Sequence, residues 1–225
     1  AAATGIIVYM TCRISYENAR EMSMNTSRQL VETASAEINS LFGDMWDISR
    51  ILGRDTRVQR IMRTQYEKQR DMFSDTFEVS AMLSEYNQFY PRLFCIYFFS
   101  DQGDSCESKY YRITLEDLTR DALYRQACEG KAAVWAQPRK GSLYSVTTGE
   151  SLITAMVPVK ELSSGAYQGA IVLELEESRV QEFLNAGIGE NGFMYICDEN
   201  GTPIIFPEKL DEETALQHIG QKEQL

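Results

Sequence analysis

The sequence predicts an α+β protein: a long N-terminal helix, a five-stranded antiparallel sheet with helices on one side, and the start of a second module. Three observations carry this. Residues Leu30, Ala34, Ile38, Leu41, Met45, Ile48 and Leu52 recur at steps of three and four, the spacing of one helical face. The hydrophobic period then changes at Leu93, where LFCIYFF is apolar on both faces and reads as a central strand. Near the C-terminus, FMYICDENGTPIIF places Asn200-Gly201 between two apolar runs; both residues accept φ > 0, which makes the pair a strong hairpin signal.

The first element spans Tyr16 to Leu52, with polar Glu32, Glu37, Asn39, Asp44, Asp47 and Arg50 away from the stripe and Gly43 as its only glycine. At 1.5 Å per residue it is ~55 Å long, far beyond an ordinary globular helix. The stripe is broad from Leu30 onward, beside Phe42 and Trp46, and thins over YENAREMSMNTSRQ. A helix packed at one end and bare at the other reads as a stalk; the plainer reading is a long bundle helix. Before it, AAATGIIVYMTC is apolar but too short to span a bilayer alone. It is either a buried first element or the end of a transmembrane helix.

Leu52-Gly53-Arg54-Asp55 breaks the helix, with Asp55 placed to cap a short successor over Thr56 to Thr64. A third helix is predicted over Tyr66 to Tyr90, ended by Pro91. After the Leu93 strand come a turn at Ser100 to Asp104 and a returning strand over Ser105 to Ile113. Thr114 is expected to cap a helix running to about Glu129. Strands follow at Ala132 to Gln137, Leu152 to Val159 and Gly169 to Leu175, where alternation resumes at Val172, Glu174 and Glu176. The stretches Pro138 to Gly149 and Lys160 to Gln168 read as loops, Ser178 to Leu184 as a helix, and Asp211 to His218 as a weak one. Phe94 to Gly103 and Phe193 to Gly201 echo each other as an apolar strand running into an Asp and a Gly.

The chain of 225 residues carries a net charge of −11 and no basic run, which sets nucleic-acid binding aside. Five cysteines (Cys12, Cys95, Cys106, Cys128 and Cys197) form no C-x-x-C pair and read as free, mostly buried thiols. His218 is the only histidine, so nucleophilic triads and His/Cys metal sites are short of residues. Phosphate- and dinucleotide-binding glycine motifs are absent. Glu176/Glu177 and Glu212/Glu213 read as solvated faces. No catalytic residue, metal or cofactor is expected in this chain.

The G-F-x-Y-x-x-D-x-x-G hairpin at Gly192 to Gly201, the Gly169 to Glu174 strand and the helix after it resemble the extracytoplasmic double-Cache sensor region of bacterial transmembrane receptors, in particular sensor histidine kinases of two-component systems. The resemblance covers residues 15–206. It implies PAS-like folds and this layout: 1–15 the end of a transmembrane or juxtamembrane segment, 16–52 a spine helix, 53–187 a membrane-distal Cache module, 188–225 part of a membrane-proximal one. It further implies a non-catalytic domain of a cell-membrane receptor, facing outside the cytoplasm, homodimeric in the full-length protein. Such a domain binds a small polar or anionic ligand and passes a signal through the helix. The same region also fronts chemoreceptors and cyclic-nucleotide enzymes. A reading of a different class is a scaffold module that pairs its helix with a partner helix. By the family's pattern the ligand sits near 131–154, which nominates Trp135, Arg139, Tyr144 and Thr147, with Tyr97 and Tyr111 reaching from the first hairpin. The plainer reading makes Trp135 a core residue and Arg139 a loop charge. The family's amino-acid-binding pattern, an Arg just before a Trp-Tyr pair, is not met by Ala133-Val134-Trp135-Ala136.

Overall fold

The computed structural model describes residues 21–64, 69–101, 105–108, 120–140, 150–185, 194–197 and 203–205. The chain divides into two compact units, Gly43–Glu177 and Ala1–Phe42 with Ser178–Leu225. Helix α1 (Glu21–Leu52) runs unbroken through the boundary between them. Every member of its expected stripe from Ala34 to Leu52 is buried. The expected start at Tyr16 lies outside the described residues.

The larger unit holds the sheet. Asp55, in extended conformation, caps α2 (Thr56–Arg63) by accepting from the Arg57 N–H at 2.8 Å. Helix α3 (Gln69–Phe89) buries Val79, Met82 and Leu83. Strands β1 (Leu93–Ser100), β2 (Ser105–Glu107), β3 (Val134–Lys140), β4 (Ser151–Lys160) and β5 (Tyr167–Glu176) form one sheet in the order β2-β1-β5-β4-β3. All described pairings are antiparallel. Helix α3 is tied to the β1–β2 end of the sheet: Ser84 Oγ donates to Ser108 O at 2.8 Å and Asn87 Nδ2 to Leu93 O at 2.9 Å.

Helices cover both faces of the sheet, not one. A further helix, α4 (Ala122–Gly130), packs Leu123, Tyr124 and Ala127 on the face bearing Tyr97 and Val172. On the opposite face the end of α1 approaches the sheet, where a Cβ added to Gly53 would lie 3.5 Å from the Val159 side chain. The reason was present in LFCIYFF: a strand apolar on both sides needs cover on both.

Two element boundaries differ from expectation for local reasons. Asp121, extended at φ −69° and ψ 128°, caps α4 anew by accepting from the Leu123 N–H at 2.7 Å, so one helix does not run from Thr114 to Glu129. Thr114 itself lies outside the described residues. Strand β3 continues through Pro138 to Lys140, where a loop was expected. It is an edge strand, and an edge tolerates a residue that cannot donate.

The smaller unit contains the first part of α1, helix α5 (Glu177–Leu184, entering it at Ser178) and a two-stranded sheet of β6 (Ile196–Cys197) and β7 (Pro203–Ile205). Ile196 pairs with Ile205 in the expected hairpin, and both are buried with Met194 and Tyr195. Asn200-Gly201 and the helix expected at Asp211 to His218 lie outside the described residues. No described helix is long and apolar enough to cross a membrane.

Candidate functional site

Register decides which side chains share a face, because neighbours directly across a sheet point the same way. Val134, Met156, Val172 and Tyr97 form one row, and Ala136, Thr154, Glu174 and Cys95 the next. Both rows lie on the α4 side, with Phe99 and Ala170 beyond them. Tyr97 and Phe99 stack there with ring centroids 6.0 Å apart.

Polar groups interrupt this apolar wall at two places. At one end Glu174 and Thr154 are fully buried, and Tyr97 Oη donates to Glu174 Oε2 at 3.3 Å. A carboxylate held at 0% exposure is costly unless hydrogen-bonded. At the other end Asp101 accepts from Tyr124 Oη on α4 at 3.2 Å. Loss of solvation raises the Asp101 pKa above the usual carboxylate range, and the Tyr124 bond offsets part of that. Burial likewise pushes up the Tyr124 phenol and the Cys128 thiol beside it. Gln168 Oε1, on the strand neighbouring Asp101, is buried with no hydrogen-bond partner among the described residues.

Of the nominated residues, two have described side chains, Tyr97 and Trp135, and these lie on opposite faces of the sheet. Tyr97 lies on the α4 face, 1% exposed. Trp135 pairs with Ala155, in a row with Leu173 and Ile96, on the opposite face. Three strand spacings, ~14 Å, also separate their strands. Arg139 pairs with Leu152 past an irregularity in β3, and only its backbone is described. Tyr111, Tyr144 and Thr147 lie outside the described residues. The polar residues that were missed are Glu174, Thr154 and Tyr124. Glu174 had a signal: it is an acid inside the apolar run GAIVLEL, and it is buried.

Cys95 and Cys106 are buried free thiols, and Cys128 is a half-buried one. Among the described residues no group of three His, Cys, Asp or Glu is placed to hold a metal ion. His218 lies outside them.

The fold has solved counterparts. The ligand-binding domain of the Campylobacter jejuni chemoreceptor Tlp3, in complex with 4-methylisoleucine, matches with a TM-score of 0.60 at 12% identity, over 88% of this chain and 77% of that one. The ligand-binding domain of the Pseudomonas aeruginosa PAO1 amino acid chemoreceptor PctC, in complex with GABA, matches at 0.56 and 12% identity, over 82% and 76%. The sensor domain of the V. cholerae histidine kinase DctB matches at 0.51 and 14% identity, over 72% and 59%. The chain shares the fold of these chemoreceptor ligand-binding domains and of this kinase sensor domain. No protein-family model matches the sequence, and no curated protein does.

Proposed function

We propose that this chain is the extracytoplasmic ligand-sensing region of a membrane receptor and binds a small polar molecule on the α4 face of its sheet. The observation that carries the reading is Glu174. It is fully buried on a strand wall that is otherwise apolar, beside buried Thr154 and the Tyr97 hydroxyl. A few placed polar groups on an apolar wall suit orientation of a small ligand. The carboxylate favours a ligand with an amine or another donor over a purely anionic one. Chemoreceptor and kinase sensor domains of the same fold support a sensing role; their ligands include amino acids and GABA. Of the output domains this fold fronts, we propose a histidine kinase, with α1 carrying the signal towards the membrane and pairing with a second copy in the whole receptor. No catalytic step is assigned to this chain.

The test is a thermal-shift screen of small amines, amino acids, carboxylates and sugars on the wild-type chain and on Glu174→Gln. A ligand at a hundred times its Kd stabilises by about 2.7 kcal/mol, roughly 5–10 °C for a domain of this size. We expect a donor-bearing compound to give such a shift and Glu174→Gln to lose most of it. An unchanged shift in Glu174→Gln rejects the site. A panel in which only carboxylates or sulfonates bind rejects the ligand class.

A further inference from the structure

Strand β1 carries an extra residue beside Glu174. Its register advances two residues, from Leu93 to Cys95, while β5 steps one, from Leu175 to Glu174, so Phe94 forms a bulge. Side chains along a regular strand alternate between faces, yet Phe94 packs against the same α4-side cluster that holds its neighbour Cys95. The bulge therefore adds an aromatic ring to the face that carries the candidate site. Around Glu174 the wall is closed: Cys95, Tyr97, Thr154, Met156 and Val172 are each buried. Of the described residues in the Glu174 row and its bulge, Phe94 and Ala136 alone are only partly buried. The side chains of this row that still meet solvent are thus one large ring and one methyl group.

Side chains from outside the strand hold the bulge. Ser108, directly after β2, accepts from the Ile96 N–H through Oγ at 2.9 Å, and the same Oγ lies 3.3 Å from Cys95 Sγ. Ser108 Oγ donates to Asn87 Oδ1 on α3 at 2.8 Å, and Asn87 Nδ2 donates to Leu93 O at 2.9 Å. The backbone is therefore gripped on either side of Phe94, at Leu93 and at Ile96. A bulge re-aims a side chain, and a braced bulge does so with fixed geometry. Resting on the reading of Glu174 as a ligand contact, we infer that Phe94 is a specificity-determining residue of that site, held in place by Asn87 and Ser108 as positioning residues. A ring fixed beside a fully buried carboxylate admits a compact primary ammonium and clashes with one whose nitrogen carries methyl groups.

The probes are n-butylamine and N,N,N-trimethylbutylammonium, which share a chain and a charge and differ in the size of the nitrogen head. Their dissociation constants are measured by titration calorimetry on the full 225-residue chain. Wild type should prefer n-butylamine by about tenfold or more, and Phe94→Ala should bring that preference to roughly threefold or less, with Phe94→Leu between them. Asn87→Ala and Ser108→Ala should relax it in the same direction, and Ser108→Thr, which keeps the hydroxyl, should restore it. A variant that is merely less stable weakens both probes alike, so the ratio separates positioning from support; circular dichroism of each free variant checks that it folds. Binding of n-butylamine that is lost in Glu174→Gln, with an unchanged preference in Phe94→Ala and Phe94→Leu, leaves the sensing site standing and overturns this inference. Binding that survives Glu174→Gln rejects the site and the inference with it. A wild type that binds both probes equally, or neither, overturns the inference alone, since the wider compound screen still tests Glu174. A preference relaxed by Phe94→Ala but unmoved by Asn87→Ala and Ser108→Ala overturns the positioning roles.

Discussion

Gln59 joins two stretches of chain a hundred residues apart. Its Nε2 donates to Gly53 O at 2.7 Å and Lys160 O at 2.8 Å, and its Oε1 accepts from the Leu162 N–H at 2.8 Å. At 2% exposure no water can replace those bonds freely. Gln59→Leu keeps most of the volume but leaves three backbone groups unpaired, so it should cost about 2–4 kcal/mol, read as a lower midpoint in a thermal melt followed by circular dichroism. Glu161 fastens the same hairpin from inside. It accepts from Ser163 N at 2.8 Å and Ser164 N at 2.6 Å, and Arg63 stands 3.6 Å away. The Ser163 and Ser164 bonds, the Ser163 N–H foremost, hold its pKa down to about 2 from an ordinary 4.5. The unfolded chain therefore takes up this proton first as pH falls. The stability Glu161 contributes is complete above pH 4.5 and disappears towards pH 2. Melts of wild type and Glu161→Gln should differ at pH 7 and draw together as pH falls from 4.5 towards 2; a gap that does not narrow contradicts this assignment. Gly169 shows a third kind of constraint. A Cβ there would sit 2.5 Å from Phe99 O and 3.1 Å from the Phe98 ring, so Gly169→Ala forces β1 and β5 apart and should destabilise by about 1–3 kcal/mol.

At the scale of elements, legibility followed how local the cause was. The α1 stripe and the Asp55 cap depend on neighbours within a turn, and both were readable from spacing and residue type. So was β1, whose unbroken apolar run reads as a central strand, although the helices that cover both its faces were expected on one. The extension of β3 through Pro138 was not readable, because it depends on that strand lying at the sheet edge, a property of strand order. Asp121 caps α4 with an extended backbone, a break inside the expected helix that residue type alone does not locate. The candidate site was the least legible. Trp135 and Tyr97 looked like one aromatic wall, yet a one-residue difference in register parity puts them on opposite faces. Glu174 is not marked as a site residue by its sequence position, because an acid in a strand usually faces water, whereas this one is fully buried. A test of α1 as an element follows from Gly43. It is exposed, and nothing lies within 4 Å of an added Cβ. Gly43→Ala should therefore stabilise the helix by about 1 kcal/mol, visible as a higher melting midpoint.

For the whole molecule, the sensing reading makes a demand on α1 that its stability alone does not meet. The candidate site lies within Gly43–Glu177, while Ala34, Ile38 and Leu41 belong to the other unit. A ligand can bias the second unit only if something two-state connects them, and a ligand with equal affinity for both states shifts nothing. Helix α1 crosses the boundary at Phe42–Gly43 without a break, which makes it the proposed carrier. Proline at Gly43 removes a helix hydrogen bond to Asn39 and crowds the preceding turn, at a cost of about 3 kcal/mol. With a compound from the thermal-shift screen bound, the wild type and Gly43→Ala should change hydrogen exchange along Ala34–Leu41. Gly43→Pro should lose that change yet keep ligand protection of β4 and β5, since its binding residues are untouched. If Gly43→Pro binds and still alters exchange at Ala34–Leu41 as the wild type does, the signal takes another route and α1 is a support, not a transmitter.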